Sequence, residues 1–232
     1  RMDLYANLQL TGTEKLLLGL RPFDNNQPRR FTRHTLEGAD KRTENELNVD
    51  VETLFFEGDI GNLFPDLDRA GLTPVDFGFT VGRQPITFQE GILINDTVDA
   101  VGFVRNNLVF PNTSNLRISG MYAWNRLDRN DRARGVESNM WALFGFVDAD
   151  VSSYNLDMIL VDDNGKGDGF YFGASSIQRL RGWGGISTAF RINSSFALED
   201  EIGGNVIADG TLVTAEISSL VAGSDDIVYF NT

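Results

Sequence analysis

The stretch "GRQPITFQEGILINDTVDA" (82–100) places Arg83, Gln84, Glu90, Asp96 and Asp99 between two runs of alternating residues, Phe77–Val81 and Val101–Phe103. An arginine facing acids across a water-filled gap sets a transverse field that sorts solutes by charge. Arg117 and Arg191 lie on the polar phase of two further alternating segments and join these five as candidate pore-lining groups. Bond-making chemistry has weaker support. His34 is the single histidine and cysteine is absent, which excludes thiolate sites and leaves no histidine cluster for a metal. No serine lies in a nucleophile-elbow motif.

The acid pairs Asp162/Asp163 and Asp225/Asp226, with Glu199–Glu201, have the residue types of a glycosidase couple. They fall in apparent turns, where solvated charge is the ordinary reason for acids. "DDNGKGDG" (162–169) spaces Asp162, Asn164 and Asp168 as an oxygen-ligand calcium loop does. Lys166 stands where a further oxygen belongs and no bidentate Glu follows, so a plain hairpin loop is expected. The expectation is a protein that is not an enzyme and carries no cofactor and no metal.

The elements that must position these groups alternate with period two. Strands are expected at 3–12, 15–23, 47–59, 77–83, 99–104, 115–127, 139–150, 153–163, 169–180, 183–198 and 210–220, with another from 225 onward. Residues 24–46 read as a polar loop with a short strand near Phe31–Leu36. Many strands run to about 9–12 residues, the length that crosses a bilayer at a tilt, whereas soluble strands average about 5–6. Acids outnumber bases by 33 to 20, which argues against a nucleic-acid partner. No run approaches the roughly 18 apolar residues of a spanning helix. The chain starts at Arg1 and stops within the alternating "DDIVYFNT", so it is expected to be an interior piece of a longer protein, missing both ends. The fold class expected is all-β: one domain over 1–232, an antiparallel transmembrane β-barrel represented by about 10–12 strands.

The segment "VGRQPITFQEGILINDTVDAVGFV" (81–104) resembles a segment of bacterial outer-membrane porins, including the alginate-export type. The matching residues are Gly82, Arg83 and Gln84 closing one strand, Gly91 in the polar loop, and Asp99 opening the next strand. The resemblance covers about a tenth of the chain. It implies a larger barrel of roughly 16–18 strands, outer-membrane location, the lipid bilayer as partner, passive passage of small polar solutes, and a possible homotrimer. Thr232 stands where such barrels end in an aromatic residue, and the acid excess does not suit a polyanion lumen. No substrate is therefore implied.

Given a barrel, phase assigns faces: Leu8, Ile118, Phe190 and Ile217 to lipid, and Asn7, Arg117, Arg191 and Glu216 away from it. Trp124, Trp141 and Trp183 near strand ends read as an aromatic girdle. Arg83 shares the phase of Phe77, Phe79 and Val81, so it must lie beyond the bilayer or follow a bulge. Pro85 is expected to end its strand, residues 86–98 to leave the wall, inward or as a rim, and Asp99 to start the next strand. The charged loops 128–138, with three acids and three bases, and 199–209, with four acids and no base, predict weak cation preference. Two other readings stand beside this one: a soluble or secreted β-sandwich or jelly roll binding carbohydrate on an aromatic face, and an outer-membrane hydrolase.

Overall fold

In a strand, successive side chains point to opposite faces, so the alternating segments become strands with one apolar and one mixed face. A computed structural model describes residues 2–23, 33–36, 38, 42–44, 50–68, 76–108, 110–127, 138–163, 167–180, 185–198, 207–221, 224 and 226–232. The strands are β1 (Leu4–Gln9), β2 (Lys15–Leu20), β3 (Arg33–Thr35), β4 (Arg42–Glu44), β5 (Val51–Asp59), β6 (Phe77–Phe88) and β7 (Ile94–Leu108). They continue as β8 (Asn115–Asn125), β9 (Ser138–Ala149), β10 (Ser152–Asp163), β11 (Gly169–Leu180), β12 (Ile186–Ala197), β13 (Gly210–Leu220) and β14 (Ile227–Asn231). The chain is all-β, and among the described residues the one α-helical element is the single turn α1 (Ile60–Leu63), capped by the Asp59 carboxylate.

Twelve strands form one antiparallel sheet in the order β1-β2-β5-β6-β7-β8-β9-β10-β11-β12-β13-β14. Each strand pairs with its chain neighbour, apart from β3 and β4, which make a separate small hairpin. The sheet is not closed, since β1 and β14 stand at its two edges. No helix among the described residues is long and apolar enough to cross a membrane.

Register turns the two phases into two continuous faces. One cross-strand row runs Leu8, Leu16, Phe56, Val81, Val101, Tyr122, Trp141, Leu160, Phe170 and Phe196 over ten strands without a polar side chain. Many side chains on this face are exposed, among them Leu8, Trp141, Leu160 and Phe196. The opposite face carries a different row, Arg117, Phe146, Asn155, Ser175, Arg191 and Thr214. The chain thus buries some of its polar groups, Ser175 and Arg191 among them, while it exposes apolar ones, the reverse of a solvated surface.

The inner face is covered from within the same sheet. β6 pairs with β5 only as far as Arg83, and β7 pairs with β8 only from Asp99 onward. β6 and β7 nevertheless pair with each other from Phe77↔Arg105 out to Phe88↔Ile94. Residues 84–88 and 94–98 are therefore a two-stranded arm that leaves the sheet. It folds over the inner face, so that Ile86 and Val98 pack with Ala100, Ala123, Met140, Phe144, Ile159 and Val161 in the molecule's core.

Two expectations change here. Pro85 does not end its strand, because β6 continues to Phe88. The missing N–H of Pro85 is harmless there: β5 has already stopped pairing, so the arm presents a free edge. Likewise β7 begins at Ile94, not at Asp99, and the connection shrinks to residues 89–93.

Candidate functional site: an arm laid across the polar face

The arm departs at the "GRQ" residues. Gly82 has φ +124°, and a Cβ there would come within 2.3 Å of the Leu54 carbonyl oxygen, so no other residue fits this close approach to β5. Arg83 then clamps the departure point. Its Nε and Nη2 donate to the two carboxylate oxygens of Asp99 at 2.7 and 3.0 Å, and Nη1 donates to the Val51 carbonyl at 2.8 Å. Asn125 Nδ2 adds a 2.9 Å bond to Asp99. The register skips Trp124 opposite the Asp99/Ala100 step, a bulge that ends regular pairing with β8 at the same level. Arg83 thus keeps the phase of Phe77, Phe79 and Val81, but stands where the apolar rows stop, joining the start of β5 to the points where β6 and β7 leave the sheet.

At the tip the chain turns on three consecutive left-handed residues, Gln89 (φ 52°), Glu90 (φ 56°) and Gly91 (φ 86°). Left-handed backbone is unfavourable for Gln and Glu, and it persists where surrounding contacts fix it. Those contacts follow a single cross-strand row of the inner face: Phe144, Asp157, Gly173 and Asn193. Phe88 stacks on Phe144 with centroids 3.4 Å apart. Gln89 Nε2 donates to Asp157 Oδ2 at 2.5 Å. Glu90 accepts from Arg191 Nη2, whose side chain is 8% exposed while that of Glu90 is 62% exposed. Strands lie about 4.8 Å apart, so β12 is about 24 Å of sheet from β7. The sheet must curl about the tip for one turn to touch both Phe144 and Arg191.

The tip separates two chambers. The smaller, about 240 Å³, is bordered by Glu90, Arg117, Asn155, Asp157, Ser175 and Arg191. Opposite charges meet in it: Glu90 on Arg191, with Arg117 held over the Phe146 ring at 5.1 Å. The larger, about 600 Å³, lies between the arm and β9 to β13.

Among the candidates, Glu90, Arg117 and Arg191 share the smaller chamber. Arg83 and Asp99 pair at the base of the arm. Asp96 lines the larger chamber and also a cleft behind the arm with Arg21, Glu52 and Arg126. Gln84 is 5% exposed at the root of the arm, and its Nε2 has no partner. Leu8, Ile118, Phe190 and Ile217 share the apolar face, and Asn7, Arg117, Arg191 and Glu216 the other, as their phase requires. Trp124 and Trp141 flank Tyr122 on the apolar face, with ring centroids 6.1 and 5.5 Å away. Trp183, Asn164, Lys166, most of 128–138 and residues 199–206 lie outside the described residues.

Gln89, Asp157 and Asn193 were not among the candidates. A signal for Asp157 existed: it is the single acid amid Leu156, Met158, Ile159 and Leu160, in the middle of a long strand. No group of three or more His, Cys, Asp or Glu among the described residues is placed to hold a metal ion. None of the known family models, curated proteins or solved structures compared with the chain matches it.

Proposed function

We propose that this chain supplies twelve strands to the wall of an outer-membrane β-barrel of roughly 16–18 strands, a passive channel for small polar solutes. The observation that carries the reading is the unbroken apolar row from Leu8 to Phe196, exposed on one face while arginines, acids and amides sit on the other. Lipid accepts such a face and water does not. Strands β6 to β13, at 11–15 residues, have the reach to cross. Most connections also differ by end: those after β2, β8 and β12 are long and those after β1, β7, β9, β11 and β13 are short, with the long β5–β6 connection (60–76) and the short β10–β11 one (164–168) as exceptions. Spanning barrels have long loops at one end and short turns at the other. Tyr122, Trp124 and Trp141 have the chemistry of an interfacial girdle.

In this reading the inner face lines the lumen, the arm narrows it, and Glu90, Arg117 and Arg191 set the local field. No bond is made or broken. A two-sheet lectin sandwich fits less well, because twelve of the strands form one continuous sheet and a hairpin arm, not a second sheet, covers its inner face.

The chain has no cysteine, so each introduced one is unique. Single cysteines at Leu8, Ile118, Phe190 and Ile217 should resist a water-soluble maleimide in reconstituted vesicles and react with a lipid-soluble one. Cysteines at Asn7, Arg117 and Glu216 should react with the water-soluble reagent. Equal labelling of both sets would overturn the membrane reading. Replacing residues 86–97 by Asn-Gly should raise solute entry in a vesicle-swelling assay several-fold. An unchanged rate, with the sheet intact by circular dichroism, would remove the arm from the permeation path.

A further inference from the structure

The charged groups around the tip are matched to one another, Glu90 with Arg191 and Gln89 Nε2 with Asp157. What remains unmatched is amide. Asn193 is 7% exposed, yet neither its Nδ2 nor its Oδ1 has a hydrogen-bond partner, and the Oε1 of buried Gln89 has none either. Buried amides without partners are costly and uncommon. Asn193 borders the larger chamber. Gly173 beside it makes room for these two amide side chains, because a Cβ there would lie 2.9 Å from Gln89 Cγ and 3.0 Å from Asn193 Oδ1.

The geometry points to a binding site in this chamber for a neutral, polyhydroxylated small molecule of about monosaccharide size. A primary amide offers a donor and an acceptor side by side, and adjacent hydroxyls complement both. Leu93, Ile159, Tyr171 and Leu212 supply an apolar wall for the C–H face of a sugar ring. The volume of about 600 Å³ lies within the range of small-molecule sites. Among the described lining residues no Lys or Arg is present and Asp96 is the single charged group, so an anion finds no counter-charge. The proposal goes beyond permeation and does not rest on membrane crossing, because the chamber belongs to the arm and the inner face alone.

Saturation-transfer NMR on the detergent-purified chain, with glucose and glucuronate as probes, tests it. Glucose should bind in the millimolar range, and glucuronate at least about tenfold more weakly. Asn193→Ala should weaken glucose binding about tenfold or more, since a site built to bond hydroxyls loses most when its polar group goes. Arg117→Gln, on the other side of the tip, should leave glucose binding unchanged. Leu93→Trp fills the chamber from the tip and should produce the same loss, which covers the case in which Asn193→Ala fails to fold. Glucuronate binding as well as glucose, retained affinity in a folded Asn193→Ala or Leu93→Trp variant, or no glucose binding by the parent chain would overturn the assignment. A failed vesicle-labelling experiment with glucose still bound in detergent would remove the channel and keep the site.

Discussion

The β6–β7 and β9–β10 hairpins begin from similar alternating sequences and end differently. In β9–β10 the ladder runs unbroken from Ser138↔Asp163 to Ala149↔Ser152, and β8 and β11 support both flanks. One phase of it stays apolar between its ends, with Trp141, Leu143 and Val147, then Leu156, Met158 and Leu160, and turns polar only at Asn139, Ser152 and Asp162. In β6–β7 the same phase changes chemistry partway. Phe77, Phe79 and Val81 give way to Arg83, Pro85 and Thr87, opposite Asp99, Thr97 and Asn95. The switch falls where β5 and β8 stop pairing. The outward phase remains apolar only while the strand belongs to the sheet. Once the arm turns inward, its outer edge meets water and its other phase packs through Ile86 and Val98.

The sharpest way to break this contrast is at the glycines. Gly82→Ala combines positive φ with a clash on Leu54 and should cost about 2–4 kcal/mol. Gly145→Ala in β9, whose Cβ would meet nothing nearer than 3.5 Å, should stay within about 0.5 kcal/mol. Urea unfolding in micelles compares the two, and equal costs would show that Gly82 does not set the departure.

A smaller effect is expected at the clamp. A double-mutant cycle with Arg83→Met and Asp99→Asn should give a coupling of about 1–2 kcal/mol, because the pair is bidentate and partly covered. The pair Lys15–Glu57, more open at 37% and 31% side-chain exposure, should couple by about 0–1 kcal/mol. Coupling no larger at Arg83–Asp99 would reduce that pair to a surface contact.

The smallest effect on overall stability, but the most local, concerns the tip. Gln89→Ala with Glu90→Ala removes both polar attachments and leaves Arg191 and Asp157 unmatched. Amide exchange in residues 86–97 should quicken about tenfold or more, with β9 and β10 unchanged. Uniform quickening of both hairpins would mean that the arm and the sheet open together.

The wall was legible because period-two phase decides the face of every strand. Leu8, Ile118, Phe190 and Ile217 could be grouped from alternation alone, as could Arg117 and Arg191 opposite them. The arm was only half legible. Arg83 in an apolar phase, followed by Pro85, announced a break, but Pro85 was read as the end of a strand. Its tolerance depends on whether β5 still runs alongside, and pairing partners are not written locally. Asn193 was illegible, and Asp157 stood out only as an acid in an apolar run, for a related reason: each matters through the tip of a distant hairpin, which no spacing within its own strand encodes.

The connectivity also constrains how the molecule is assembled in time. Sheet neighbours are chain neighbours, so strands can add in order with short loop closures. The Arg83–Asp99 clamp spans 16 residues and can form with the first hairpins. Gln89 must wait for Asp157, 68 residues on, and Glu90 for Arg191, 101 residues on. The hairpin that closes the inner face is therefore made early and docked late. Until β9 and β10 arrive, Phe88 and Leu93 stand uncovered at its tip, the interval in which the nascent chain is most open to cleavage and to wrong partners.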